Sequence, residues 1–123
     1  MTGLTIGQLA VSAGVNVETI RFYERKGLLK QPEREGGRIR RYAPEARRRL
    51  TFIRGARDLG FTLQEIGELL SLRQDPKATR SDVRTRTMAK LEDVRNSLKT
   101  LLQQCDGSGP ASNCPILDSL ESR

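Results

Sequence analysis

Hydrophobic residues recur every three or four positions along most of the chain, a spacing that predicts amphipathic α-helices. The first such segment runs from Thr5 to Gly14. Thr5 and Gln8 fit the capping box that begins a helix, and Gly14 suits the left-handed position that ends one. The apolar side of this predicted helix consists of Leu4, Leu9, Ala10 and Ala13.

A second helix is predicted within residues 16–29, with one apolar face and one cationic face. Asn16 is a favourable N-cap, and Gly27 can adopt the left-handed conformation at the helix end. The inward positions are Val17, Ile20 and Tyr23/Glu24, and the outward positions are Arg21, Arg25 and Lys26. A helix, a tight turn and a second cationic helix form a helix-turn-helix, whose second helix enters the major groove. The pattern therefore predicts binding to double-stranded DNA.

Residues 31–42 predict a β-hairpin wing beside the helix-turn-helix. Pro32, Gly36 and Gly37 interrupt helical structure, and the Arg-Ile-Arg-Arg-Tyr run that follows alternates like a short strand. The arginines of this run, which are Arg38, Arg40 and Arg41, are expected to reach DNA phosphates, and Tyr42 is expected to donate its hydroxyl to one. The alternative interpretation is a solvated, charged loop.

Two further helices complete a DNA-binding domain that is expected to span residues 1–73. One begins at Pro44 and ends near Leu59, and the other follows a second capping box formed by Thr62 and Glu65. Residues 1–60 contain 13 Lys and Arg against 6 Asp and Glu, whereas residues 61–123 contain 9 of each, so the whole net charge of +7 lies in the first half. This distribution indicates a surface that displaces counterions from phosphates.

A longer helix is expected from Thr79 or Arg80 to Gln104, within a linker and dimerisation segment at residues 74–104. Its apolar positions form a narrow coiled-coil seam with steps of three and four residues. The seam comprises Val83, Thr87, Leu91, Val94, Leu98 and Leu101. Because the other faces are highly charged, a second copy of the chain is the simplest partner, and a homodimer is expected. The alternative is that the seam folds back onto its own domain.

Residues 105–123 contain both cysteines, separated by a loop with glycines and a proline and followed by a short helical turn. The chain has no histidine, so a closed four-ligand zinc site would require carboxylates or a second chain. Two thiolates, from Cys105 and Cys114, favour a soft ion that accepts a low coordination number, such as Cu(I). A reversible disulfide and a pair of inactive thiols are the alternatives.

The remaining composition narrows the class of protein. There is no secretory signal and no apolar run of about 18 residues, which favours a cytoplasmic protein without a membrane partner. The sequence also has no histidine, no phosphate-binding glycine motif and no convergent carboxylate pair, so an enzyme is not expected.

The chain resembles the MerR family of metal-responsive transcription regulators. The matching segments are LTIGQLAVSAGVNVETIRFYERKGLL, GGRIRRY, LGFTLQEIGELL, the long helix and CDGSGPASNCPIL. The resemblance implies an all-α fold with a small wing: a winged helix-turn-helix DNA-binding domain, a long antiparallel dimerisation helix, and a metal-binding loop at residues 105–123. It also implies a homodimer that binds promoter DNA and distorts it when a metal binds, so that RNA polymerase engages the promoter.

The resemblance carries specific roles to residues of this chain. It assigns DNA contacts to Arg21 and Tyr23 on the recognition helix and to Arg38, Arg41 and Tyr42 on the wing. Further DNA contacts are expected from Val17 and Thr19 on the same helix and from Arg40 on the wing. It assigns the metal thiolates to Cys105 and Cys114. The alternatives are a thiol redox-responsive regulator and a DNA-binding module whose metal arm is vestigial.

Two further implications concern the metal. Residues 75–83 and 114–117 look closest to the copper-efflux regulators, which respond to Cu(I), Ag(I) and Au(I), and Hg(II) is a further candidate. Arg80 stands where mercury, lead, cadmium and zinc members have Cys and copper-type members have Ser, so Arg80 and the adjacent Ser81 are expected beside the metal. The stretch between Arg80 and Cys105 is shorter than in the family by about ten residues, or about 15 Å of helix.

Overall fold

The computed structural model describes residues 3–33 and 36–122, which form helices and connecting turns. In chain order, the helices are α1 (Ile6–Ala13), α2 (Val17–Arg25), α3 (Pro44–Asp58), α4 (Leu63–Gln74), α5 (Arg80–Gln103) and α6 (Pro115–Glu121), with a 3₁₀ turn at Ala111–Asn113. They belong to two compact units, Met1–Gln74 and Asp75–Arg123. The predicted all-α fold is confirmed.

The first two helices begin at the polar residues that the sequence predicts. The Thr5 hydroxyl accepts a hydrogen bond from the Gln8 N–H at 3.2 Å, and the Gln8 side chain accepts one from the Thr5 N–H at 2.9 Å. Asn16 caps α2 by accepting from the Thr19 N–H at 2.8 Å. These bonds satisfy backbone donors that a helix start otherwise leaves unpaired, so both helices have defined starts.

The core of the first unit lies where α1 packs against α2 and α3, and α3 packs against α4. Its largest fully buried side chains come from all four helices, and they are Leu9, Ile20, Leu50, Ile53 and Ile66. Burying one such side chain contributes about 1.5–3 kcal/mol. Because Ile20 anchors α2 in this core, the opposite face of α2 is left for a ligand.

The wing differs from the hairpin that the sequence predicts. Gly36 and Gly37 form a turn with φ of 58° and 72°, but residues 38–41 do not form a strand. Among the described residues of the wing, Tyr42 alone pairs its backbone, in an isolated antiparallel bridge with Leu4. The predicted short strand is therefore wrong, because a strand requires a neighbour along its length and Leu4 supplies a single position. Residues 34 and 35, which also belong to the predicted hairpin, lie outside the described residues.

The second unit consists of α5, the cysteine-containing loop and α6. Thr79 and Asp82 form a reciprocal capping box that starts α5, close to the predicted position. With 24 residues, α5 is about 36 Å long. α6 packs against α5, and the Ser119 hydroxyl donates to the Gln104 side chain at 2.6 Å. Within the described part of the chain, no helix is long and apolar enough to cross a membrane.

Candidate DNA-binding surface and cysteine loop

The outward face of α2 carries the cationic residues that the sequence places there. Arg21, Arg25 and Lys26 are all exposed. Val17 and Thr19 lie in the first turn and are half-buried. The Thr19 hydroxyl donates to Asn16 at 2.9 Å, so its proton is already used in the cap.

Tyr23 belongs to the core of the first unit. Its side chain is 9% exposed, and its ring lies 5.7 Å from that of Phe22 in a tilted arrangement. Most of the Tyr23 side chain therefore packs in the core. A DNA contact from Tyr23 stays a prediction.

A groove of about 240 Å³ lies between α2 and the wing. Its lining residues are Ile6, Arg21, Gln31, Gly37, Arg38, Ile39, Arg40 and Tyr42. Three of these residues are arginines, one from α2 and two from the wing. A concave surface with three guanidinium groups has the charge and the donors to hold an anion such as a phosphate.

Arg40 lines this groove and carries one donor that is not paired within the described part of the chain. Its Nε is buried and has no hydrogen-bond partner among the described residues. Leaving a buried donor unpaired costs about 1–3 kcal/mol. Arg38 and Arg41, on either side of Arg40, are exposed.

Tyr42 is buried and bonded to α2, whereas the sequence predicts that its hydroxyl faces the DNA. Its side chain is 3% exposed, and its hydroxyl donates to the Glu24 carboxylate at 2.8 Å. Burial raises the pKa of the Tyr42 phenol above its ordinary value, and the hydrogen bond to Glu24 raises that pKa further. The Tyr42 hydroxyl proton is therefore committed to Glu24 in this conformation, and a contact between Tyr42 and a DNA phosphate stays a prediction.

Three side chains around the helix-turn-helix form long-range hydrogen bonds that the sequence did not predict. They belong to Glu24, Arg49 and Arg54. Arg49 Nε donates to the Leu28 carbonyl at 2.6 Å, directly after α2. Arg54 Nη1 lies 3.3 Å from the carbonyls of both Ala13 and Gly14, at the end of α1. One signal was available for Glu24, since a carboxylate on the inward face of a helix requires a hydrogen-bonding partner.

The predicted seam of α5 is largely exposed in the single chain. Val83, Leu91, Val94 and Leu98 are between 37% and 58% exposed, and Thr87 is exposed as well. A row of apolar side chains of this kind on a charged helix marks an interaction surface. Leu101 is the exception at 8% exposed, so little of its surface remains for a partner to cover.

Cys105 and Cys114 lie at the two ends of the loop between α5 and α6. Both are free thiols of intermediate exposure. The Gly107 N–H donates to Cys105 Sγ at 3.4 Å, and a donor of this kind favours a sulfur that carries negative charge, as a metal-bound thiolate does. The loop therefore offers two soft ligands with one backbone donor already directed at the first.

Asp106 is the acidic residue nearest to the thiols in sequence, but its carboxylate is engaged elsewhere. The Ser108 hydroxyl and N–H donate to the same oxygen at 2.6 and 2.9 Å. The Ser108 hydroxyl, and then its N–H, hold the pKa of Asp106 below its usual value. Across residues 3–33 and 36–122, no group of three or more Cys, Asp or Glu is placed to hold a metal ion.

The structure does not bring Arg80 and Ser81 to the thiols of the same protomer. Both residues are at the exposed start of α5, whereas Cys105 follows its other end. The helix between them is about 36 Å long. Contact of Arg80 or Ser81 with a bound metal therefore requires a second protomer.

Known proteins resemble this chain over nearly its whole length. Residues 4–72 match the family described as MerR HTH family regulatory protein, and residues 47–106 match the family described as MerR, DNA binding. The chain is 41% identical to the mercuric resistance operon regulatory protein of Shigella flexneri, over 98% of this chain and 90% of that protein. It is 37% identical to the HTH-type transcriptional regulator CueR of Salmonella typhimurium, over 95% of this chain and 91% of that protein.

A solved structure supports the same relationship. The transcription regulator PbrR691 from Ralstonia metallidurans CH34, solved in complex with lead(II), matches with a TM-score of 0.70 and 36% identity. The match covers 95% of this chain and 98% of that chain. The fold, the helix-turn-helix and the cysteine loop therefore fall within one family of regulators.

Proposed function

Because the chain belongs to the MerR family of helix-turn-helix regulators, we propose that it senses Cu(I), or an ion of similar softness, and controls transcription from the promoter that it binds. As a metal-responsive transcription regulator it is a DNA-binding protein and not an enzyme. The choice of ion is the finer part of the proposal, since one relative is named for mercuric resistance and another was solved with lead(II).

One observation carries the assignment of the ion: two free thiols share one loop, and a third Cys, Asp or Glu ligand is absent from the described residues around them. Cu(I) is a soft ion that thiolate ligands select. A divalent ion that needs three or four ligands would have to recruit them from elsewhere. Arg80 cannot ligate a cation, whereas its guanidinium can stabilise the net negative charge of a two-thiolate Cu(I) unit.

The DNA-binding surface combines α2 with the wing. Arg21 is exposed on the outward face of α2 and has the bidentate donors that read a guanine edge in the major groove. Arg38, Arg40 and Arg41 supply phosphate contacts. Val17 and Thr19, in the first turn of α2, are the further candidates for contact with bases.

A homodimer joins the two functional parts. The exposed seam of α5 is covered when a second α5 packs against it antiparallel, which brings the start of each helix to the end of the other. Arg80 and Ser81 of one protomer then lie next to the cysteine loop of the second protomer. The same two-fold symmetry presents two recognition helices to the DNA.

Regulation follows from the coupling of these parts. When the two thiolates at the end of α5 bind an ion, one conformation of the dimer becomes more stable than the other. In that conformation the DNA-binding units bend and untwist the promoter. RNA polymerase then engages the distorted promoter. Because promoter DNA and the polymerase are in the cytoplasm, we assign the protein to that compartment.

A second candidate function is supported by the same free thiols. Cys105 and Cys114 are nine residues apart in a loop with two glycines of positive φ, Gly107 and Gly109. Formation of a disulfide between them would make the protein a redox-responsive regulator. The two candidates share the DNA-binding surface and differ only in what acts on the thiols.

Transcription in vitro with a metal series separates these candidates. The template carries a promoter that the wild-type protein selects, and the additions are Cu(I), Ag(I), Hg(II), Pb(II), Zn(II) or, in metal-free buffer, an oxidant. We expect activation by Cu(I) and Ag(I) that is lost in Cys105→Ser and retained in the matched loop variant Ser112→Ala. Activation by oxidant alone would establish the redox candidate, and DNA binding without any response would show a vestigial metal arm.

A further inference from the structure

Tyr42, at the end of the wing, is hydrogen-bonded both to Leu4 and to the recognition helix. Tyr42 forms two backbone hydrogen bonds with Leu4, of 2.9 and 2.7 Å, and its hydroxyl donates to Glu24 of α2 at 2.8 Å. Residues 38–41, which carry the wing arginines, do not form regular structure of their own. The position of these arginines relative to α2 therefore depends on where Tyr42 is held.

Glu24 is an unexpected residue on a helix that faces DNA. It lies three positions after Arg21, where a free carboxylate would repel the phosphates that the arginines attract. The Glu24 carboxylate instead accepts a hydrogen bond from Tyr42. A hydrogen bond with an ionised acceptor is stronger than one between neutral groups. The Tyr42 side chain is almost fully buried, so water competes poorly for this bond.

We propose that Tyr42 and Glu24 are positioning residues, which hold the wing arginines in a fixed relation to Arg21 so that α2 and the wing engage the DNA backbone as one surface. The proposal rests on the DNA-binding role assigned above to the arginines. Without the bond, the wing must be ordered at each encounter with DNA, and this ordering reduces the affinity. The wing arginines then neutralise fewer phosphates.

The salt dependence of DNA binding tests this role. We would measure the affinity of the full-length protein for a duplex selected by the wild type, over a range of salt concentrations, together with the melting temperature of each variant. Tyr42→Phe removes only the hydroxyl. Glu24→Ala removes the acceptor, and Glu24→Gln is its control of matched shape, because the Gln carbonyl can still accept the bond. If Tyr42→Phe folds poorly, the two Glu24 variants test the same bond from the half-buried partner.

Positioning predicts a specific pattern. Tyr42→Phe should bind more weakly, and the slope of log affinity against log salt should become shallower by about 0.9 for each phosphate that the wing no longer neutralises. Glu24→Ala should bind about fivefold more weakly than Glu24→Gln, and the double variant Tyr42→Phe/Glu24→Ala should be no weaker than Tyr42→Phe. Arg41→Ala should weaken the wild type and have little effect in the Tyr42→Phe background.

Other results would overturn the proposal. Wild-type affinity and slope in Tyr42→Phe and Glu24→Ala would show that the bond does not position the wing. Weaker binding with an unchanged slope and a lower melting temperature would make it a packing contact only. If Arg41→Ala leaves the slope of the wild type unchanged, the wing does not contact phosphates, and both the assignment and the positioning role fail. Failure of the wild type to select any duplex would instead refute the DNA-binding surface itself.

Discussion

Gly14 and Arg54 together determine how the first helix of the helix-turn-helix ends. Gly14 has a φ of +69°, and a Cβ built on it would lie 2.6 Å from Arg54 Nη1. The Arg54 guanidinium lies against the Ala13 and Gly14 carbonyls, at the negative end of α1. The turn between α1 and α2 therefore depends on a residue without a side chain and on an arginine from α3.

Gly14→Ala should destabilise the DNA-binding unit by about 1–3 kcal/mol. The left-handed backbone alone costs a residue with a Cβ about 1–2 kcal/mol, and displacement of Arg54 weakens its hydrogen bonds. Chemical denaturation of wild type and variant measures the change in the free energy of unfolding.

Gly7→Ala is the matched control for that experiment. Gly7 lies inside α1, and a Cβ at this position would meet no atom within 4 Å. Alanine should therefore stabilise the helix by about 0.5–1 kcal/mol. Equal effects of the two substitutions would contradict the role given to Gly14 and Arg54.

Sequence reasoning at the residue scale succeeded where a role depends on local chemistry. The N-cap Asn16, the capping box at Thr5 and the exposure of Arg21 follow from neighbours within one turn of helix. The bond from Tyr42 to Glu24 was not predicted because the two residues are 18 positions apart, and periodicity does not report pairing across elements. Arg49 and Arg54 were missed for the same reason, since long-range bonds to carbonyls leave no pattern in the sequence.

α5 is the helix whose stability depends most on a partner. A helix that exposes Val83, Leu91, Val94 and Leu98 leaves in water the apolar area that usually stabilises a helix of a globular protein. Its boundaries were predictable because Thr79 and Asp82 form a capping box. The reduced exposure of Leu101 was not predictable, because the seam pattern does not show which end is covered within the chain.

Leu91→Glu should dissociate the proposed dimer. In a two-fold interface the substitution acts twice, and removal of two leucine side chains weakens association by about 3 kcal/mol or more, which is at least about 100-fold in Kd. Sedimentation equilibrium over a range of protein concentrations measures this change. Ala89→Glu introduces the same charge on the opposite side of the helix, at another exposed position, and should leave the dimer intact. A monomeric wild type would refute the seam assignment.

At the scale of the whole molecule, the chain forms two compact units, to which we assign separate tasks. The net charge of +7 lies in the first half of the sequence, together with the helix-turn-helix and the arginine-lined groove. The second half has no net charge and contains the seam and both thiols. Charge distribution and periodicity predict a DNA-binding unit followed by a dimerisation and metal-binding unit, because each task requires its own kind of surface.

The sequence and the fold indicate the DNA-binding surface more directly than they indicate which ion is bound. The donor set is defined by two thiolates, whereas selectivity among soft ions depends on coordination number and on charges near the sulfurs. In the dimer that we propose, Arg80 of the second protomer is the candidate for this nearby charge. The binding of Cu(I) by Cys105 and Cys114 is thus the central claim.

An anaerobic titration of the fully reduced protein with Cu(I), in competition with a chelator of known affinity, tests this claim most directly. We expect tight binding of one Cu(I) per protomer, lost in Cys105→Ser and in Cys114→Ser and retained in Ser112→Ala. Weak binding by the wild type, or tight binding that survives both cysteine substitutions, would contradict the claim that this loop senses the metal.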